Sequence, residues 1–115
     1  MNNEEFKTMV NQGVQRTIAQ GKPCVNDEGH CKYDLDGSRC VVGHMMTEEE
    51  HGKFKENSFG VRRLVDDAGW KPELSRKQIK ILSDIQYIHD DLRSYEGEDF
   101  TQRFQCAVSE INLDN

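Results

Sequence analysis

The chain has 115 residues, 35% apolar and 31% charged, with a net charge of −6 and four cysteines. That composition belongs to a soluble globular protein and excludes both a disordered chain and a membrane span, because no window approaches ~20 apolar residues. The negative balance argues against nucleic-acid binding through a concentrated basic face.

A chain of this size buries about two-thirds of its unfolded surface, so one compact domain over residues 1–115 is expected, with no covalent staple. Met1-Asn2-Asn3-Glu4-Glu5 lacks the basic start and apolar run of a signal peptide, which places the expected protein in the cytoplasm with its cysteines reduced. The charge is uneven along the chain. Residues 1–83 carry 13 acids and 13 Lys/Arg, whereas residues 84–115 carry eight acids against Arg93 and Arg103. Such an end suits a basic protein partner or mimicry of nucleic acid, or is simply a solvated helix face.

Asn3 with Glu4 and Glu5 reads as a helix start, and Phe6, Met9, Val10, Val14 and Ile18 form one stripe that Gly21-Lys22-Pro23 ends. Residues 30–42 alternate in the β manner. Cys31 and Tyr33 alternate with Lys32 and Asp34, Asp36-Gly37 marks a turn, and Cys40, Val41 and Val42 close a second run, so a β-hairpin is predicted. Thr47 followed by three glutamates caps a short helix that Gly52 limits. Asn57 or Ser58 begins another, ended by Gly69, with Trp70 just beyond as a packing anchor. Ser75 opens what reads as the longest helix, with Ile79, Leu82, Ile85, His89 and Leu92 in its stripe. A last helix is predicted from about Asp99 to Ile111, with Cys106 off its apolar face, and residues 113–115 are expected to fray. The expected class is α+β, one hairpin packed on four to five helices.

Three kinds of chemistry are open. Cys24, His30, Cys31, Cys40 and His44 lie close together in the chain, and zinc could be held by His30, Cys31, Cys40 and His44, although only Cys40 and His44 have ligand-like spacing and there is no C-x2-C pair. A Cys40 nucleophile could use His89 as its base, but Asp90 follows His89 directly on a helix and is expected to point about 100° away from it. His89 reads equally as a core histidine bonded to a backbone carbonyl. Otherwise Cys31 and Cys40 are small buried hydrophobes. Phosphate-loop and zinc-protease motifs are absent, and the calcium-loop echo at Asp34, Asp36 and Gly37 lacks its glutamate.

Gly21-Lys22-Pro23, Cys31-Lys32-Tyr33, the run from Gly37 through Cys40 and Gly43 to Met46, and Ile85-Gln86-Tyr87-Ile88-His89-Asp90 together resemble a family of small bacteriophage and prophage proteins. The likeness covers roughly residues 15–92. It implies a phage-encoded protein working in the bacterial cytoplasm, and it points to Cys31, Tyr33, Cys40, Gly43 and His89 as a mutually packed set. Members carry an apolar residue at the position of His44 and do not all have a cysteine near position 24, which counts against those two as metal ligands. The expected function is a non-catalytic accessory protein that binds and modulates a host or phage protein through Asp90, Asp91, Glu96, Glu98 and Asp99, with no cofactor required. The alternatives are a Cys40/His89 enzyme or small-ligand binder, and a zinc-stabilised binding module.

Overall fold

The computed structural model describes residues 1–24, 38–54 and 60–113. Among these residues six helices follow in order: α1 (Asn3–Gln20), α2 (Val41–Met45), α3 (Glu48–Phe54), α4 (Val61–Asp66), α5 (Arg76–Asp91) and α6 (Gly97–Ser109). About two-thirds of the described residues are helical and none of them forms a strand, so the α+β expectation is corrected to all-α. Among the described residues, no helix is long and apolar enough to cross a membrane.

The correction centres on residues 40–45. Val41 and Val42 favour strands by propensity, yet they open a one-turn helix. Three N–H groups of that turn find partners that a hairpin would not offer. Val42 N–H donates to Gln86 Oε1 of α5 at 3.3 Å, Gly43 N–H to the Cys40 thiol at 3.4 Å, and His44 N–H to the Cys40 carbonyl at 3.0 Å. Cys40 is therefore a helix cap rather than a strand residue. Tertiary contact has overridden propensity. The remainder of the predicted hairpin, residues 30–37, lies outside the described residues.

Helix α1 starts at the Asn2 side chain, which accepts from Glu5 N–H at 2.8 Å, one residue before the expected cap. Glu4 and Glu5 then sit where the helix dipole favours anions. Phe6, Met9, Val10, Gly13, Val14 and Thr17 form its buried stripe. Gly13 has a specific task, since a Cβ there would lie 2.4 Å from Met45 Cγ and 3.0 Å from the Val41 carbonyl. Only a residue without a side chain lets α2 lie this close on α1. Gly21, at φ 76°, ends the helix, and its carbonyl accepts from Gly97 N–H at 2.7 Å, which ties the end of α1 to the start of α6.

Thr47 and Glu50 form the expected reciprocal cap on α3, and the helix runs through Gly52 to Phe54. The next helix starts only at Val61, behind Gly60. Ser75 and Gln78 cap α5, and Gln78 Nε2 also donates to the Met1 carbonyl at 2.7 Å. At 16 residues α5 is shorter than the 18-residue α1, contrary to expectation. The last helix begins at Gly97 rather than Asp99, and Leu113 packs against the core instead of fraying. Phe100 and Phe104 of α6 are fully buried and stacked at 5.5 Å, each worth about 1.5–3 kcal/mol of burial. Phe100 also meets the His89 ring edge-on at 6.4 Å, which closes α6 over α5.

Candidate functional site: a buried Cys/His junction beside an acidic corner

Where α1 ends, α2 begins and α5 passes beneath, four of the predicted chemistry-bearing residues converge. Cys24 and Cys40 are 1% exposed and His89 is 0% exposed. His89 Nε2 accepts from Cys24 N–H at 3.0 Å. That assigns the ring proton to Nδ1, which donates to Asp90 Oδ1 at 2.9 Å. The same carboxylate oxygen accepts from Gln86 Nε2 at 3.0 Å, and Gln86 Oε1 receives Val42 N–H. A continuous chain of hydrogen bonds thus joins residue 24 to α5 and α5 to α2.

Two expectations are corrected here. His89 bonds a backbone N–H, not a carbonyl. Asp90 does reach its neighbour's ring, because its carboxylate folds back across the helix surface and is fixed there by Gln86 at the i−4 position.

A catalytic base needs its free lone pair turned toward the proton it removes. The Nε2 lone pair of His89 is engaged by Cys24 N–H. The Cys40 thiol is no ready nucleophile either. Burial pushes it up to about 12, opposed by the Gly43 N–H bond and reinforced by the nearby Cys24 and Asp90. The Cys24 thiol donates to the Ser38 carbonyl at 3.2 Å. Gly43 is buried in α2.

His44 belongs to an adjoining network. Its Nε2–H donates to Gln20 Oε1 at 2.8 Å, and the same oxygen accepts from Arg39 N–H at 2.9 Å. Gln20 Nε2 donates to the Lys22 and Arg39 carbonyls at 2.7 and 3.0 Å. Burial pushes His44 down to about 4, aided by the positive charges of Arg39 and Arg16. Of the candidate zinc ligands, His30 and Cys31 lie outside the described residues, as does Tyr33 of the packed set. Among the described residues no three His, Cys, Asp or Glu side chains are grouped to hold a metal ion.

The acidic residues gather at the corner between α5 and α6. Asp90 and Asp91 end α5, and Glu96, Glu98 and Asp99 begin α6. Glu98 and Asp99 are stabilised by the α6 dipole, whereas Asp91 sits at the unfavourable end of α5. Asp91, Glu96, Glu98 and Asp99 are exposed. None of them forms an ion pair with a described residue. The nearby cations are directed elsewhere: Arg103 stacks on Tyr95 at 4.5 Å, and Arg93 Nη1 donates to the Asp90 carbonyl at 3.4 Å. Sequence reasoning missed Gln20, Gln86 and the Cys24 backbone as the residues that organise the junction. The Gln86/Asp90 pair at i,i+4 was the one readable signal. No protein-family model, curated protein or solved structure matches the chain.

Proposed function

We propose that this protein is a non-catalytic binding module, an accessory protein of phage type that docks a basic host or phage protein on the corner between α5 and α6. One observation carries the reading: Asp91, Glu96, Glu98 and Asp99 stand exposed with no counter-ion among the described residues, while Arg93 and Arg103 are directed to a carbonyl and a ring. Carboxylates so placed attract a basic partner over a distance and speed its encounter. Asp90 is better assigned to the junction, where it holds His89 and Gln86. The resemblance to small phage and prophage proteins supplies the setting, the bacterial cytoplasm.

The competing reading, Cys40/His89 chemistry, draws on the contact between His89 Nδ1 and Asp90, which is how a catalytic imidazole is oriented. It is the weaker reading, because Nε2 faces a backbone donor and the thiol is held protonated. The test is affinity capture from phage-infected host lysate, with the wild type set against D91N/E96Q/E98Q/D99N. Salt-sensitive capture that the fourfold variant loses, at an unchanged melting temperature, supports docking at the corner. Equal capture by both proteins removes the corner from consideration.

A further inference from the structure

A helix dipole favours acids in the first turn and bases in the last. Helices α1, α3 and α6 follow that rule, opening on Glu4 and Glu5, on Glu48, Glu49 and Glu50, and on Glu98 and Asp99. Helix α5 breaks it at both ends. Its first turn carries Arg76 and Lys77 and no acid, and its last turn carries Asp90 and Asp91. Asp90 is committed to His89 and Gln86, but Arg76, Lys77 and Asp91 are exposed. Charges opposed to their own helix become favourable beside a second helix running the other way, whose termini are exchanged.

The outer face of α5 has the pattern such a pairing needs. Arg76, Lys80, Ser83, Tyr87 and Asp91 recur every three or four residues and so share one face. All but the half-buried Ser83 are exposed. The midpoint of the helix falls between Ser83 and Asp84. Arg76 lies as far before that point as Asp91 lies after it, and Lys80 as far before it as Tyr87 after it. A two-fold axis through the midpoint therefore sets each Arg76 opposite Asp91 of the second copy, and each Lys80 opposite its Tyr87.

Two further features fit that register. Among the described residues Tyr87 is the one exposed large apolar side chain, at 70%. Between α4 and α5 lies a groove of about 400 Å³ lined by Arg62, Arg76, Ile79, Lys80 and Ser83, with no acid among them. Three cations beside an aliphatic side chain suit an aromatic ring, whose face attracts positive charge. The ion pairs there are cheap to exchange. Arg76 and Lys80 meet Asp66 and Asp84 at 2.8 and 2.7 Å across exposed surface, where such pairs contribute little.

We propose that this protein forms a symmetric homodimer through antiparallel α5 helices, with Arg76 meeting Asp91 of the second copy and Tyr87 entering the groove beside the second copy's Lys80. The pairing goes beyond the docking corner and shares only Asp91 with it. A contact along two 16-residue helices, each about 24 Å long, is at the small end of specific interfaces, so the dimer is concentration-dependent.

Sedimentation equilibrium of the full chain from about 10 µM to about 1 mM reads the mass directly. At about 0.15 M salt the Debye length of about 8 Å screens the repulsion between chains of net charge −6. The mass should climb from the monomer's 13.3 kDa toward twice that value and stop there. Arg76→Glu and Asp91→Arg should each weaken the dimer by about tenfold or more, because each sets like charges opposite one another. An equimolar mixture of the two variants should dimerise again, because both contacts then join opposite charges. Tyr87→Ala, at an exposed position, should weaken the dimer similarly, and it decides alone if a charge variant does not fold. A mass fixed at 13.3 kDa, growth past the dimer, an unaffected Tyr87→Ala variant or a mixture of folded charge variants that stays monomeric overturns the proposal. Arg76 and Tyr87 lie outside the acidic corner, so capture of a basic partner by their variants is a separate result.

Discussion

Gln20, at the end of α1, uses every polar position it has: its oxygen accepts from Arg39 N–H and His44, and its amide donates to two carbonyls. Trp70, beside α3, buries an indole whose N–H makes no hydrogen bond of regular geometry although the Glu50 carboxylate is near, and the next residue, Lys71, is held at φ 47°. Both regions place polar atoms inside a small helical protein. In the first, the groups satisfy one another and define a single arrangement of α1 and α2. In the second, the polypeptide tolerates an unmade bond and a strained residue. The two regions therefore differ in how completely their buried polar groups are satisfied, which is a difference that substitution can measure.

The contrast can be broken most decisively at the thiols. Because burial holds the Cys40 thiol protonated, Cys40 should be alkylated at pH 8 at least about tenfold more slowly than exposed Cys106. Peptide-resolved mass spectrometry after a timed iodoacetamide pulse gives the ratio. Comparable rates would mean that the junction is open and its chemistry available.

Removing the centre of the junction comes next. His89→Ala strips the acceptor from Cys24 N–H and the donor from Asp90, and leaves a hole against Phe100. The expected loss is about 3 kcal/mol or more, read from the denaturant midpoint at constant slope. A cost below about 1 kcal/mol would show that the network is ornamental.

The pH dependence of stability sharpens the same point from both sides. His44 has its pKa lowered to about 4 in the folded chain against an ordinary 6.5. The unfolded chain binds the extra proton in that window, so this contribution is fully present above pH 6.5 and is lost as pH falls toward 4. Because the ring is only half-buried, solvent screening leaves about 1–2 kcal/mol of it. Cys40 works in the other direction: its contribution holds below about pH 9 and is lost as pH rises toward 12. Melting temperature against pH should show the acid slope, and His44→Gln should flatten it.

How much of this could be read in the sequence depended on whether the cause was local. The buried stripe of α1 and the caps at Thr47 and Ser75 follow from neighbours a few residues away, and they stand where periodicity and capping place them. Helix α2 was illegible, because its first N–H groups are satisfied by Gln86, more than forty residues distant, and by a thiol that seldom serves as a cap. Gly13, a poor helix former by propensity, is the contact face for Met45, a role that only the fold reveals. At the junction, residue types announced Cys40 and His89, but no spacing rule could reveal that the imidazole would spend its lone pair on Cys24 N–H. The strain at Lys71 left no trace at all, since lysine next to proline is unremarkable until its φ is known.

The smallest expected effect bears on the other half of the comparison. Lys71→Gly removes the ion pair to Glu50 and releases a backbone conformation that glycine adopts freely. A pair whose partners are about one-fifth exposed contributes roughly 1 kcal/mol, while holding a lysine in the left-handed region costs about 1–3 kcal/mol. Strain relief should therefore win narrowly, giving a variant as stable as the wild type or more stable by about 1 kcal/mol, less what glycine adds to unfolded-chain entropy. Lys71→Ala separates the two contributions, because it loses the pair and keeps the strain, so it should fall below wild type while the glycine variant does not. If both variants fall equally, the left-handed lysine stores nothing, and the turn is as settled as the junction across the molecule.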